Sequence, residues 1–196
     1  MVLSGGKDLC AFCRTPANVL SEEERIKRVK KLMNKGNSEA FNHLAVFYAE
    51  GINGMPQDRQ KANELYLKAG ELGCADGYFN LGMSYDQGRG VGVDMKKAKH
   101  YFELAAMNGH VQARYNIGCL EGEAGNDHRA LKHFILAARA GFEMSLDMVK
   151  RGFMTGMLTQ DEYANILRAY HERQKEMKND VRDKAEAAKN HVLAQS

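Results

Sequence analysis

Three glycines, Gly73, Gly109 and Gly141, follow one another at intervals of 36 and 32 residues, and the stretches that end on them superpose. The stretches are AFNHLAVFYAEGINGMPQDRQKANELYLKAGELG (40–73), GYFNLGMSYDQGRGVGVDMKKAKHYFELAAMNG (77–109) and ARYNIGCLEGEAGNDHRALKHFILAARAG (113–141). Each carries an apolar anchor (Leu44, Leu81, Ile117), then a small residue (Ala45, Gly82, Gly118), then an alanine (Ala62, Ala98, Ala130) and an aromatic ring (Tyr66, Phe102, Phe134). A period of this length belongs to helix-turn-helix arrays, whose single units cannot cover their own apolar faces and so must stack. A weaker fourth copy, SLDMVKRGFMTG (145–156), sets Val149, Phe153 and Gly156 at the leucine, tyrosine and loop-glycine positions, and its second half departs from the pattern.

The composition agrees with helices packed through small side chains. Val, Ile and Thr together number 18 against 23 alanines, which excludes an all-β fold. Within a unit the first helix carries apolar residues three and four apart, as Leu44 and Tyr48 or Leu81 and Tyr85 do. It ends at Gly51 or Gly88, where a left-handed C-cap costs little. The second helix begins near Asp58, Asp94 or Asp127, as cap or first-turn acid.

Gly77 to Gly109 sets Leu81, Gly82, Tyr85, Gly88, Gly90, Asp94, Lys97, Ala98, Tyr101, Phe102, Ala105, Ala106 and Gly109 in one joint spacing that resembles the Sel-one-like repeat (SLR), a relative of the tetratricopeptide repeat (TPR). The third copy departs by losing four residues between its helices and by carrying Glu121 at the tyrosine position. The resemblance implies an all-α fold, a right-handed α-solenoid of TPR-like helix-turn-helix repeats with N- and C-terminal capping helices. The repeats would span 38–74, 75–110 and 111–142, with a partial fourth at 143–158.

Upstream, Ser21 and Glu24 have capping-box spacing and open a capping helix over 21–36. Its apolar stripe, Ile26, Val29, Leu32 and Met33, is ringed by Arg25, Lys27, Arg28, Lys30 and Lys31. This helix either covers the first repeat with a solvated charged face, or lies on a membrane surface or a calmodulin-like partner. Downstream, residues 159–196 read as one long capping helix and tail. Asp161 to Ala194 holds no Pro or Gly, and Tyr163, Ile166, Leu167 and Tyr170 are placed to pack on the fourth unit.

Chemistry is hinted at only in residues 1–20. Cys10 and Cys13, separated by two residues, form half of a tetrahedral zinc site. Cys10 to Pro16 resembles the last ligand pair of a RING-type zinc finger, with Ala11 in place of a proline. The resemblance implies zinc as cofactor and a ubiquitin-conjugating enzyme as partner only where a longer form completes the finger, whose six earlier ligands are missing here. The segment is a truncated finger remnant, a disordered tail with an incidental Cys pair, or a working metal or redox site. Cys74 and Cys119 fall at packing positions and are expected to be buried rather than ligands. Gly88 to Gly92 follows a helix and lacks a Lys-Ser/Thr pair, so it reads as a repeat turn rather than a phosphate loop. No nucleophile has a base at a meaningful spacing, and the chain reads as non-catalytic, without a cofactor.

In the resembling families the first helices of successive units line a concave groove. Here that face would carry Asn42, His43, Val46 and Glu50, then Phe79, Asn80, Met83 and Gln87, then Tyr115, Asn116, Cys119 and Glu123, and finally Asp147 and Arg151. By the same resemblance Asn80 and Asn116 would bond a bound peptide's backbone; the alternative is that they bond neighbouring helices or water. The expected function is a protein-interaction scaffold or adaptor for a partner protein or peptide. The alternative is the substrate-recruiting part of a RING-type ubiquitin ligase. A net charge of +3 with a slightly acidic middle marks no phosphate track, so no nucleic acid is expected. With neither a signal-peptide pattern nor an eighteen-residue apolar run, membrane insertion is not expected and the chain reads as cytoplasmic or otherwise intracellular.

Overall fold

The computed structural model describes residues 21–193, and among them it holds nine α-helices and no strand. They are α1 (Glu22–Met33), α2 (Ser38–Glu50), α3 (Arg59–Glu71), α4 (Ala75–Gln87), α5 (Met95–Met107), α6 (Val111–Glu123), α7 (Asp127–Arg139), α8 (Glu143–Met154) and α9 (Gln160–Leu193). The all-α helical repeat is therefore the fold. Two compact units divide the chain, Met1–Asn108 and Gly109–Ser196.

In Met1–Asn108, α2 pairs with α3, α4 pairs with α5, and α3 packs on α4. The pairs meet where a ring lies on a small residue. A Cβ built on Gly82 would lie 2.7 Å from the ring of Phe102, so that glycine lets α5 approach α4. In the first repeat fully buried Ala45 and buried Tyr66 hold the same positions. Between repeats the approach is closer still: a Cβ on Gly77 would meet the Tyr66 carbonyl oxygen at 2.6 Å. Burial, and to a smaller degree Glu50, pushes the Tyr66 hydroxyl up to about 12.

The caps form as elementary chemistry asks. Asp58 accepts from the Lys61 N–H at 2.9 Å and Asp94 from the Lys97 N–H at 3.0 Å. Gly51 and Gly88 close α2 and α4 in the left-handed region at φ 66° and 69°. Gly88 to Gly92 is a repeat turn that lies on α3, where buried Asn63 donates through Nδ2 to the Arg89 carbonyl at 2.9 Å. Helix α1 ends at Met33, short of residue 36, and its Ser21–Glu24 capping box closes in both directions at 3.2 and 3.1 Å. Val29 is buried in the first-repeat core with Leu32 and Met33 packed beside it, while Lys27, Arg28, Lys30 and Lys31 are exposed. Three of the four residues of the α1 stripe thus cover the first repeat, while half-buried Ile26 lines a shallow groove with Lys27, Lys30 and Lys31.

In Gly109–Ser196, α6 pairs with α7, α7 packs on α8, and α9 lies against both α7 and α8. Gly118 repeats the device of Gly82, since a Cβ there would come within 2.6 Å of the Phe134 ring. The shortened turn keeps the bond that closes the others. Asn126 N–H donates to the Glu121 carbonyl at 2.8 Å, as Asp58 N–H does to Tyr48 and Asp94 N–H to Tyr85 at 2.8 and 2.9 Å. Glu121, at the tyrosine position, is buried and its carboxylate accepts from Asn126 Nδ2 at 2.9 Å. The Asn126 side chain makes no cap bond to α7. Helix α9 has 34 residues, about 51 Å of rise. Thr159 N–H donates to Glu162 at 2.8 Å, which holds that carboxyl below its ordinary value. Ile166 and Tyr170 are buried, Tyr163 stacks on Phe153 at 4.6 Å, and Gln174 donates to the Gly141 carbonyl at 2.7 Å.

Two substitutions test this packing. Ala105 is fully buried, so Ala105→Leu overfills its helix contact and lowers stability in urea by about 1–3 kcal/mol. Ser145 is also fully buried, and its hydroxyl has no hydrogen-bond partner among the described residues. Ser145→Ala removes that unmet group and raises stability by about 1 kcal/mol in the same titration; a loss would show that the hydroxyl is bonded.

Candidate functional site

The residues expected on the first-helix face fall into both units, and each unit is taken in turn. In Met1–Asn108, α2 carries Asn42, His43 and Glu50, and α4 carries Phe79, Asn80, Met83 and Gln87. Glu50 and Gln87 are exposed and the other five are half-buried. Asn80 donates through Nδ2 to Asn42 Oδ1 at 3.0 Å, a bond between first helices of consecutive repeats. This is the neighbouring-helix bond that the sequence left open. One amide proton of Asn80 and one lone pair of Asn42 are used, leaving the Asn42 NH₂ as donor and the Asn80 oxygen as acceptor. The ring of Phe79 leans on Phe102 with centroids 5.8 Å apart.

In Gly109–Ser196, Tyr115 and Asn116 are half-buried on α6, and Glu123 and Arg151 are exposed. The Tyr115 ring lies between Phe134 at 5.5 Å and Phe142 at 5.3 Å. Burial raises its hydroxyl, and a hydrogen bond with Cys119 raises it further. Cys119 is half-buried rather than buried, because it borders a cleft of about 630 Å³ between α6 and α8 over α7. Leu131 and Phe134 line its floor, and Glu123, Asp127 and Arg151 belong to its lining. The structure thus brings together three of the residues expected on the first-helix face, Cys119, Glu123 and Arg151. Asp127, Met148 and Met157 also line the cleft and were not expected at a binding face.

Cys10 and Cys13 lie outside the described residues. Cys74 is buried at the start of α4, and burial raises its thiol, which disfavours the thiolate a metal needs. Among the described residues no group of three or more His, Cys, Asp or Glu side chains could hold a metal ion. Among them, too, no helix is long and apolar enough to cross a membrane.

Comparison with known proteins agrees with the fold. The family model described as Sel1 repeat matches residues 38–74, 75–110 and 111–142. The chain is 35% identical over 102 residues to the ERAD-associated E3 ubiquitin-protein ligase component HRD3B of Arabidopsis thaliana, covering 50% of this chain and 15% of that protein. It is 32% identical over 111 residues to cytochrome c oxidase assembly factor 7A of Xenopus laevis, covering 51% of this chain and 47% of the relative. The match therefore spans under half the length of either relative. Among solved structures, a Sel1 repeat protein from Oxalobacter formigenes superposes with a TM-score of 0.66 at 24% identity, over 77% of this chain and 64% of the other. With three consecutive repeats matched over more than half its length and the same all-helical fold, the chain belongs to the Sel1 repeat family.

Proposed function

We propose that the chain is a non-catalytic scaffold that binds a partner protein through the first helices of its repeats. Sel1 repeat proteins act as protein-interaction scaffolds. The two relatives are named for different processes, ubiquitin ligation and oxidase assembly, so what they share with this chain is the repeat rather than a pathway. The observation that carries the finer reading is the Asn42–Asn80 bridge. It holds two amides side by side and leaves one donor and one acceptor, the pair an extended peptide group requires. Fixing both amides before a partner arrives lowers the ordering cost of binding. Phe79, braced on Phe102, and Tyr115, braced between two rings, present aromatic surface at little cost in rotamer freedom.

A second reading, that the scaffold recruits substrate for a ubiquitin ligase, draws on the identity with HRD3B and on the Cys10 to Pro16 segment. A charged ubiquitin-conjugating enzyme mixed with the full chain tests it: accelerated discharge supports that reading, and an unchanged rate overturns it.

For the scaffold itself, Asn42→Ala with Asn80→Ala removes both amides from a half-buried position. Affinity for a partner identified by capture with the wild-type chain is expected to fall at least about tenfold in calorimetry while the helical melt stays within a few degrees. An unchanged affinity overturns the assignment of this face.

A further inference from the structure

The first and third repeats differ in what lies over the second helix. In the first, Arg59 and Asn63 stand one turn apart on α3, and the turn that follows α4 rests on them. Asn63 donates to the Arg89 carbonyl at 2.9 Å, and a Cβ on Gly90 would lie 2.6 Å from Arg59 Cβ. In the third repeat the same two positions hold Asp127 and Leu131, which line the cleft between α6 and α8 instead. The segment that follows α8, Thr155 to Thr159, is five residues against the seven of Gly88 to Asp94 after α4, and its Thr155 and Met157 belong to the cleft's lining.

The cleft has a definite chemistry. Its floor is apolar, with Leu131 and Phe134 buried. Glu123 at the end of α6 and Asp127 at the start of α7 put two carboxylates on one edge, and Arg151 of α8 stands on another. These three side chains are exposed, and among the described residues none of them is held in an ion pair. Opposite charges flanking an apolar pocket select the complementary order of groups in what enters, because a like charge at either edge is repelled.

We propose that this cleft is a docking pocket for an extended peptide segment that inserts a bulky apolar side chain, flanked by a basic residue over Glu123 and Asp127 and by an acidic residue over Arg151. The proposal rests on the scaffold reading and names the chemistry of the segment its second unit takes. The volume of about 630 Å³ accommodates a leucine or phenylalanine with room for the flanking backbone. Gly122 keeps the lining open: a Cβ there would find nothing nearer than Ala130 Cβ at 3.8 Å. A side chain at that helical position therefore fits the fold while filling the pocket.

The test uses the full chain with ¹³C-labelled methionine methyl groups, since Met148 and Met157 line the cleft and report its occupancy. The probes are acetylated, amidated heptapeptides with Arg-Leu-Glu or Glu-Leu-Arg at their centre, and the same pair with alanine for leucine. Saturable shifts of the two methyls with one leucine probe, at least about tenfold weaker with its alanine counterpart and lost in Gly122→Met, are expected. Arg151→Glu, on an exposed side chain, is expected to weaken the same probe about tenfold and to favour an Arg-Leu-Arg centre. Methyls unmoved by either leucine probe, or shifts that survive both substitutions, overturn the pocket. The scaffold reading fails separately, by loss of effect at Asn42 and Asn80, so a silent cleft with a partner still sensitive to those two residues overturns this proposal alone.

Discussion

The architecture depends on the contact between a small residue of each first helix and the ring of the second. Gly82 against Phe102 and Gly118 against Phe134 leave no room for even a methyl group without displacement of the ring. That closeness brings backbone near backbone and lets one ring fill the space several side chains would otherwise need. Within Met1–Asn108 the next helix is seated just as closely, with Gly77 on the Tyr66 carbonyl, and within Gly109–Ser196 fully buried Ser145 holds the corresponding position of α8. Small residues at fixed intervals are therefore the condition for pairing and for stacking alike.

The turns adapt around that condition. The bond from the N-cap residue of the second helix back to the end of the first is kept in all three repeats, although the third turn has four residues fewer than the second. There an acid stands where the others have a ring, and it is bonded by Asn126, whose side chain makes no cap bond to α7. In the first two repeats the ring is instead capped by an ammonium, Lys61 over Tyr48 at 4.3 Å and Lys97 over Tyr85 at 5.1 Å. The third repeat is thus an altered unit rather than a degraded one, and its alteration lies beside the open cleft.

Much of the fold was legible because it follows from short-range chemistry. Aspartates before helices, glycines after them and a stripe of alanines and rings each act within a few residues of the chain, so Asp58, Asp94, Gly51 and Gly88 could be placed from their neighbours. His110 was not recognised as a cap, yet its Nδ1 accepts from the Ala113 N–H at 3.0 Å, because imidazole seldom serves there and nothing nearby marks it. Asn42 and Asn80 were both placed on the first-helix face, but their bond to each other was not foreseen. They lie 38 residues apart and meet only once the first helices stand side by side.

The sequence by itself determined the repeat, its helices and most of their ends, since each depends on residues within one or two helical turns. Tertiary structure decided which polar groups meet and which surfaces stay uncovered. Leu131 in place of Asn63 is a single apolar substitution in the chain. It borders an open cleft only once α6, α7 and α8 pack together, because the residues that line the cleft with it, from Gly118 to Met157, are gathered by packing rather than by their spacing in the chain.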